Sequence, residues 1–240
     1  MAYQMQFAPV LDRAPELIQG TINTIVLSGQ SIAIGLAIGL TVAIVRIDGP
    51  RWAAGCGAAY VEAFRNTPLL VQLFLLFFGL PYMGVRLSAD TAAVLAMSLN
   101  LGAYSTEIFR AGLLAIPRTQ IEAGLALGLS RLQVVRYIIV IPALRVIYPA
   151  LTGQLTLTLL GSSIASSISA TELTLAASKI ESQTFRSLET FLVVAAIYIT
   201  ITFTFRLIYW LIGLWLFRRR RPKLASMGVP AIATAREVDA

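Results

Sequence analysis

From Leu17 to Val45 the sequence contains no Asp, Glu, Lys or Arg. That run is longer than the roughly 20 residues a helix needs to cross the hydrocarbon core of a bilayer. Soluble domains are about a quarter charged, whereas here 13% of residues are charged and 57% are apolar. Further charge-poor stretches follow at Asn66–Val85, Thr91–Thr106, Val146–Thr171 and Thr190–Phe205. The expected fold is an all-α integral membrane protein of about five transmembrane helices. They fall at about 17–45, 53–82, 90–112, 134–162 and 190–217, between an extracytoplasmic segment 1–16 and a basic tail 218–240.

Several kinds of chemistry are excluded. The chain has no histidine and a single cysteine, Cys56, so an internal disulfide, a His-dependent metal site and a Ser-His-Asp triad are all absent. The start, MAYQMQFAPVLDRAPEL, lacks the basic opening and cleavage site of a signal peptide, so the first span is expected to be retained. The net charge of +7 does not point to nucleic acid, because the positive residues gather in alternate loops and at one end.

That alternation sets the expected topology. Arg46 and Arg51 lie in the first loop, Arg110, Arg118, Arg131 and Arg136 in the third, and Arg218–Arg221 with Lys223 in the tail. The intervening segments hold only Arg13, Arg86, Lys179 and Arg186. The positive-inside rule then places the N-terminus outside and the C-terminus in the cytoplasm. Gly35 and Gly39 have the small-xxx-small spacing that allows close helix approach. Pro68 should kink the second span, and Leu173, Leu175 and Ile180 should hold a short amphipathic helix against the membrane face. Arg206 must lie within the last helix and so should face protein or snorkel. Glu62 with Arg65, and Glu107 with Arg110, have ion-pair spacing. No internal repeat is visible, and an odd helix count argues against a self-contained carrier or channel, so a partner subunit is implied.

The segment EAGLALGLSRLQVVRYIIVIP, Glu122–Pro142, is neither short nor visibly polar. Pro117 suits a helix start, Gly128 a backbone break, and Ser130 with Gln133 a capping box that opens the next helix. Together they predict, at 117–133, two short helices set at an angle, which form a knob on the cytoplasmic face. Ala123, Gly124 and Ala126 should let another protein approach the first of them, with Glu122 and Arg131 as polar anchors. The chemistry alone leaves open a linker lying on the membrane.

This segment resembles the EAA loop of ATP-binding-cassette (ABC) importer permeases. YVEAFRNTPLLVQLFLLFFGLP, LNLGAYSTEIFRAGLLAIPRTQIEA and SSISATELTLAA resemble the polar amino-acid subfamily, and the likeness runs from about Gly20 to Phe217. It implies a type I importer permease, one of two that form the pathway. Two cytoplasmic ATPases would bind the ATP and magnesium, and an extracytoplasmic binding protein would deliver an amino acid. The ATPase would meet Glu122, Ala123, Gly124, Gly128, Ser130 and Arg131. This chain would bind no cofactor itself, and without a phosphate loop it is not the ATPase.

Asn100 and Tyr104, four apart and on one helix face, resemble the family's substrate contacts, and Gln154, Ser162 and Ser163 could line the same cavity. The sequence also departs from the family pattern. Gly124 stands where a second alanine is usual, Arg118-Thr119 precedes Gln120 where a glycine is common, and Pro142 falls one residue late. Where the family often reads Lys-Asp-(Ser/Thr)-Ser-Leu, this chain has Leu160, Gly161, Ser162, Ser163 and Ile164. A homodimer would lack the lysine twice, so a heterodimer with a non-identical permease is expected. The rival readings are a membrane enzyme, which the scarcity of acids disfavours, a self-contained carrier or channel, and a permease for a non-standard amino-acid-like solute.

Overall fold

With Pro15 in its first turn, a helix runs unbroken from Ala14 to Asp48 (α2), preceded by one turn at Ala8–Leu11 (α1). The computed structural model describes residues 4–217, so the expected basic tail lies outside the described residues. Arg51–Arg65 (α3) and Leu69–Phe74 (α4) follow; α4 passes through a π turn at Leu75–Gly79 into a 3-10 turn at Leu80–Met83. Next come Ala89–Leu114 (α5), Arg118–Ala126 (α6) and Arg131–Gln133 (α7). A π segment at Val134–Val140 joins α7 to Ile141–Gly161 (α8), which ends in a 3-10 stretch at Ser162–Ile168. Leu173–Thr184 (α9) and Ser187–Leu216 (α10) close the described chain.

The described residues are all-helical, and among them three stretches are long and apolar enough to cross a bilayer: Ala14–Asp48, Arg131–Ile168 and Ser187–Leu216. A fourth is added if the bent pair Arg51–Arg65 and Leu69–Met83 is one span. The kink expected at Pro68 is thus a full break of 108°. Gln72 stabilises it, with its amide nitrogen donating to Phe64 O at 2.8 Å, Thr67 O at 3.0 Å and Thr67 Oγ1 at 2.8 Å. Carbonyls freed from a helix inside a membrane need such partners. The expected span at 90–112 coincides with α5, which is long enough but falls short in apolarity because it carries Asn100, Tyr104 and Glu107.

Contacts between helices fix their relative directions. Along α2 and α5, Ser98 Oγ donates to Ser31 O and Ser105 Oγ to Gly35 O, in rising order, so the two run parallel. Gly35 and Gly39 face this seam: a β-carbon on Gly35 would come within 2.9 Å of Leu101 Cβ, and one on Gly39 would collide with Ser105. The small-xxx-small reading holds. Gly112 lies against Ile147 while Asn100 and Thr158 share a cleft, so α8 runs opposite to α5. Arg145 stacks on Phe217 and the Tyr148 hydroxyl donates to Tyr209 O, so α10 opposes α8.

The helix expected from Leu173 and Ile180 is α9, but it does not lie on the membrane face. Leu173, Ala177 and Ile180 are fully buried in the bundle with Val10 and Val194, and Leu175 sits off that face. Glu172 caps α9, accepting from Leu175 N and Thr174 N at 2.7 Å each and from Tyr198 Oη at 3.0 Å. Burial pushes its carboxyl above the usual range against the pull of these bonds. At the same end, Gln6 N donates to the buried Glu189, fastening the N-terminal segment to the start of α10.

Of the two expected ion pairs, Glu107–Arg110 forms at 2.9 Å, and Arg46 of α2 joins the same carboxylate. Glu62 and Arg65 do not pair. Asn66 Nδ2 donates to Glu62 Oε1 at 2.7 Å, and the Arg65 guanidinium lies over the Tyr104 ring, 5.4 Å from its centroid. Where α3 gives way to the break, Arg65 is carried toward α5 rather than along its own helix.

Candidate translocation site

α4, α5 and α8 enclose a cleft of about 200 Å³ lined by Leu69, Met97, Asn100, Tyr104, Gln154, Leu157 and Thr158. Three of the residues singled out from sequence meet here: Asn100, Tyr104 and Gln154. Asn100 Nδ2 donates to Gln72 Oε1 at 3.0 Å, so the cleft wall and the α3–α4 break share one side chain. The Tyr104 hydroxyl reaches Arg65 O at 3.5 Å, the outer limit of a hydrogen bond. Small-molecule pockets usually hold about 300–1,000 Å³, so the cleft is the size of part of a site. None of its lining residues is charged.

Ser162 and Ser163 do not reach the cleft. Their helix tightens to 3-10 geometry there, and their hydroxyls donate to Leu159 O and Leu160 O at 2.7 and 2.8 Å. Ser162 is also fully buried. Leu160 is exposed, and a β-carbon on Gly161 would meet only Leu69 Cδ2, at 3.6 Å, so Gly161 lies beside a cleft residue. Gln72, Leu69, Met97 and Thr158 escaped sequence reasoning. Gln72 alone carried a signal, an amide set among leucines and phenylalanines just past Pro68.

The loop at 117–133 forms a compact knob. Pro117 is the N-cap of α6, and Gly128, at φ +80°, takes the left-handed conformation that ends it. Leu129 N donates to Gly124 O and Gly128 N to Leu125 O, the bond pair of a Schellman stop. Two residues later the capping box between Ser130 and Gln133 starts the next helix, as its spacing predicted. Glu122, Ala123, Gly128, Ser130 and Arg131 are exposed, and among the described residues neither Glu122 nor Arg131 forms an ion pair. Gly124 is different: it is buried, and a β-carbon there would collide with Ile138. Its small size closes the knob on itself instead of admitting an outside partner. Ala123 and Ala126 stay exposed, and Leu127 and Leu132, 83% and 77% exposed, add apolar surface beside them.

A bent span, a part-sized cleft between helices and a doubly capped knob between α5 and α8 define the class: the membrane subunit of an ABC importer. Residues 32–218 match the family described as "Binding-protein-dependent transport system inner membrane component", and the chain belongs to that family. It is 39% identical to the octopine transport system permease protein OccM of Rhizobium meliloti, over 80% of this chain and 84% of that protein. It is 36% identical to the glutamine transport system permease protein GlnP of Escherichia coli strain K12, over 83% and 92%. A crystal structure of an amino acid ABC transporter with histidines superposes with a TM-score of 0.80 at 35% identity, covering 88% of this chain and 98% of that one. The chain is thus an inner-membrane permease component that works with a binding protein. It is not catalytic, and ATP is bound and hydrolysed by a separate subunit.

Proposed function

We propose that this permease carries an amino acid or amino-acid-like solute as one half of a two-permease pathway, and that the other half is a non-identical homologue. The observation that carries the proposal is the uncharged cleft. A carboxylate stripped of bulk water needs a cation or aligned donors, and this cleft offers Asn100, Tyr104 and Gln154 but no lysine or arginine. Leu160 and Gly161, which follow Leu157 and Thr158 on α8, stand where members of the subfamily often have Lys-Asp. The names of the octopine and glutamine permeases support the solute class. The experiment is uptake by this chain with its ATPase and binding protein, with and without a second permease. Transport should require the second permease; normal uptake without it overturns the asymmetric pathway.

The chain crosses the bilayer five times, N-terminus outside and C-terminus inside. The parallel course of α2 and α5, with the bent pair between them, and the antiparallel course of α8 and α10 support five passes. Cysteine labels at Arg86 and Ser182 should react from outside, and a label at Arg131 only after permeabilisation. Reversal at either loop overturns the topology. The knob, through Glu122, Ala123, Gly128, Ser130 and Arg131, seats in the ATPase, with Gly124 shaping it from within.

A further inference from the structure

Between α8 and α10 lies a groove of about 570 Å³, lined by Tyr148, Pro149, Thr152, Thr156, Arg206 and Trp210 among others. Contacts across the bundle set its depth. Gly112 of α5 is level with Ile147 of α8, and Tyr148 with Tyr209 and Gly213 of α10. Arg110 is therefore level with Tyr209, and Arg206 lies about one turn, ~5 Å, deeper. From Asp90 to Arg110 is about 30 Å along α5, one hydrocarbon thickness. Arg206 thus sits just inside the border at the knob end, not at mid-bilayer, and Tyr209 and Trp210 mark the border itself.

Arg206 is exposed. No acidic residue lines the groove, and among the described residues no carboxylate lies within ion-pair distance of Arg206. The walls are otherwise apolar or hydroxylated, and a β-carbon on Gly153 would meet nothing within 4 Å. Lipid is the cover that fits, because the groove sets one border-level cation beside walls that are mainly apolar or hydroxylated. A cation at the border beside a mainly apolar groove matches a molecule with an anionic head and a hydrocarbon tail.

We propose that the α8–α10 groove binds an anionic phospholipid, with its phosphate on Arg206 and one acyl chain along Gly153 and Thr156. The test uses the assembled importer, purified in detergent and depleted of lipid. Phosphatidylglycerol, phosphatidylcholine or glycerol 3-phosphate is added, and retained lipid is counted by native mass spectrometry. Phosphatidylglycerol should be retained at about tenfold lower concentration than phosphatidylcholine, and glycerol 3-phosphate should not displace it. Arg206→Gln should erase the preference, Arg206→Lys should keep most of it, and Gly153→Leu should lower retention of both lipids. An unchanged preference in Arg206→Gln overturns the proposal, and displacement by glycerol 3-phosphate would mark a site for a free anion instead. Cross-linking of Thr156→Cys to the second permease would show protein in the groove and equally overturn it. None of these readings depends on solute uptake.

Discussion

The α2–α5 seam and the α8–α10 groove each join two long membrane helices, and they are built on opposite plans. In the seam, Gly35, Gly39 and Gly102 bring backbones together, and Ser98 and Ser105 donate across to carbonyls of α2. In the groove, the Tyr148 ring stands between the helices, 2.9 Å from where a β-carbon on Gly213 would be, and leaves space beside it. Lipid tails are as apolar as leucine, so no hydrophobic drive closes a gap between membrane helices and only shape does. Small residues therefore weld one side of the bundle, while an aromatic spacer leaves the other soft. The cleft takes Asn100 and Tyr104 from the welded side and Gln154 and Thr158 from the soft one.

The largest expected effect tests the weld. Gly39→Leu should destabilise by about 3 kcal/mol, a fall in melting temperature of roughly 6–12 °C, whereas Gly153→Leu in the groove should melt within about 2 °C of the parent. Equal losses in thermal unfolding would erase the distinction. Next comes the knob: Gly128→Trp should abolish uptake and ATPase co-purification at a stability cost of about 1–2 kcal/mol, the strain of its φ of +80°, because nothing lies within 4 Å of its β-carbon. Normal uptake in that variant would remove the coupling role. In the cleft, Asn100→Ala should lower uptake about tenfold, one hydrogen bond to a solute, and Gln154→Ala less. A larger loss from Gln154 would put the specificity on the soft wall. The smallest effect is expected outside the bundle, where Leu211→Ala on the exposed flank of α10 should change stability by less than about 0.5 kcal/mol.

Local features were legible in the sequence because they depend on near neighbours. The charge-free runs gave α2 and α10, the Ser130–Gln133 spacing gave a real capping box, and Gly128 gave a real stop. The four-residue spacing of Asn100 and Tyr104 also held, since one helix carries both. What escaped depends on distant partners or on a change of helix type. Pro68 predicts a kink, but a 108° break also needs Gln72, and Gln72 in turn binds Asn100 from 28 residues away. Ser162 and Ser163 turn from the cleft where the helix changes to 3-10 geometry, at Ser162 itself. Gly124 reads as an outward surface until Ile138 folds over it from the π segment, and Arg65 pairs with a ring on α5 instead of with Glu62.

The parallel seam has a consequence for how the chain is made. Ser31 and Ser98 are 67 residues apart, so at about 5–20 residues per second the ribosome takes roughly 3–13 s between them. During that interval the first helix waits in the bilayer with its glycine face open to lipid. It is equipped to wait: Ser31 Oγ donates to Leu27 O at 2.8 Å and Thr21 Oγ1 to Leu17 O, so neither hydroxyl depends on the absent mate. When α5 inserts, the hydroxyls that bridge the seam arrive on the newcomer, at Ser98 and Ser105. Order of synthesis and direction of hydrogen bonding agree: the early helix presents carbonyls and the late one brings the donors.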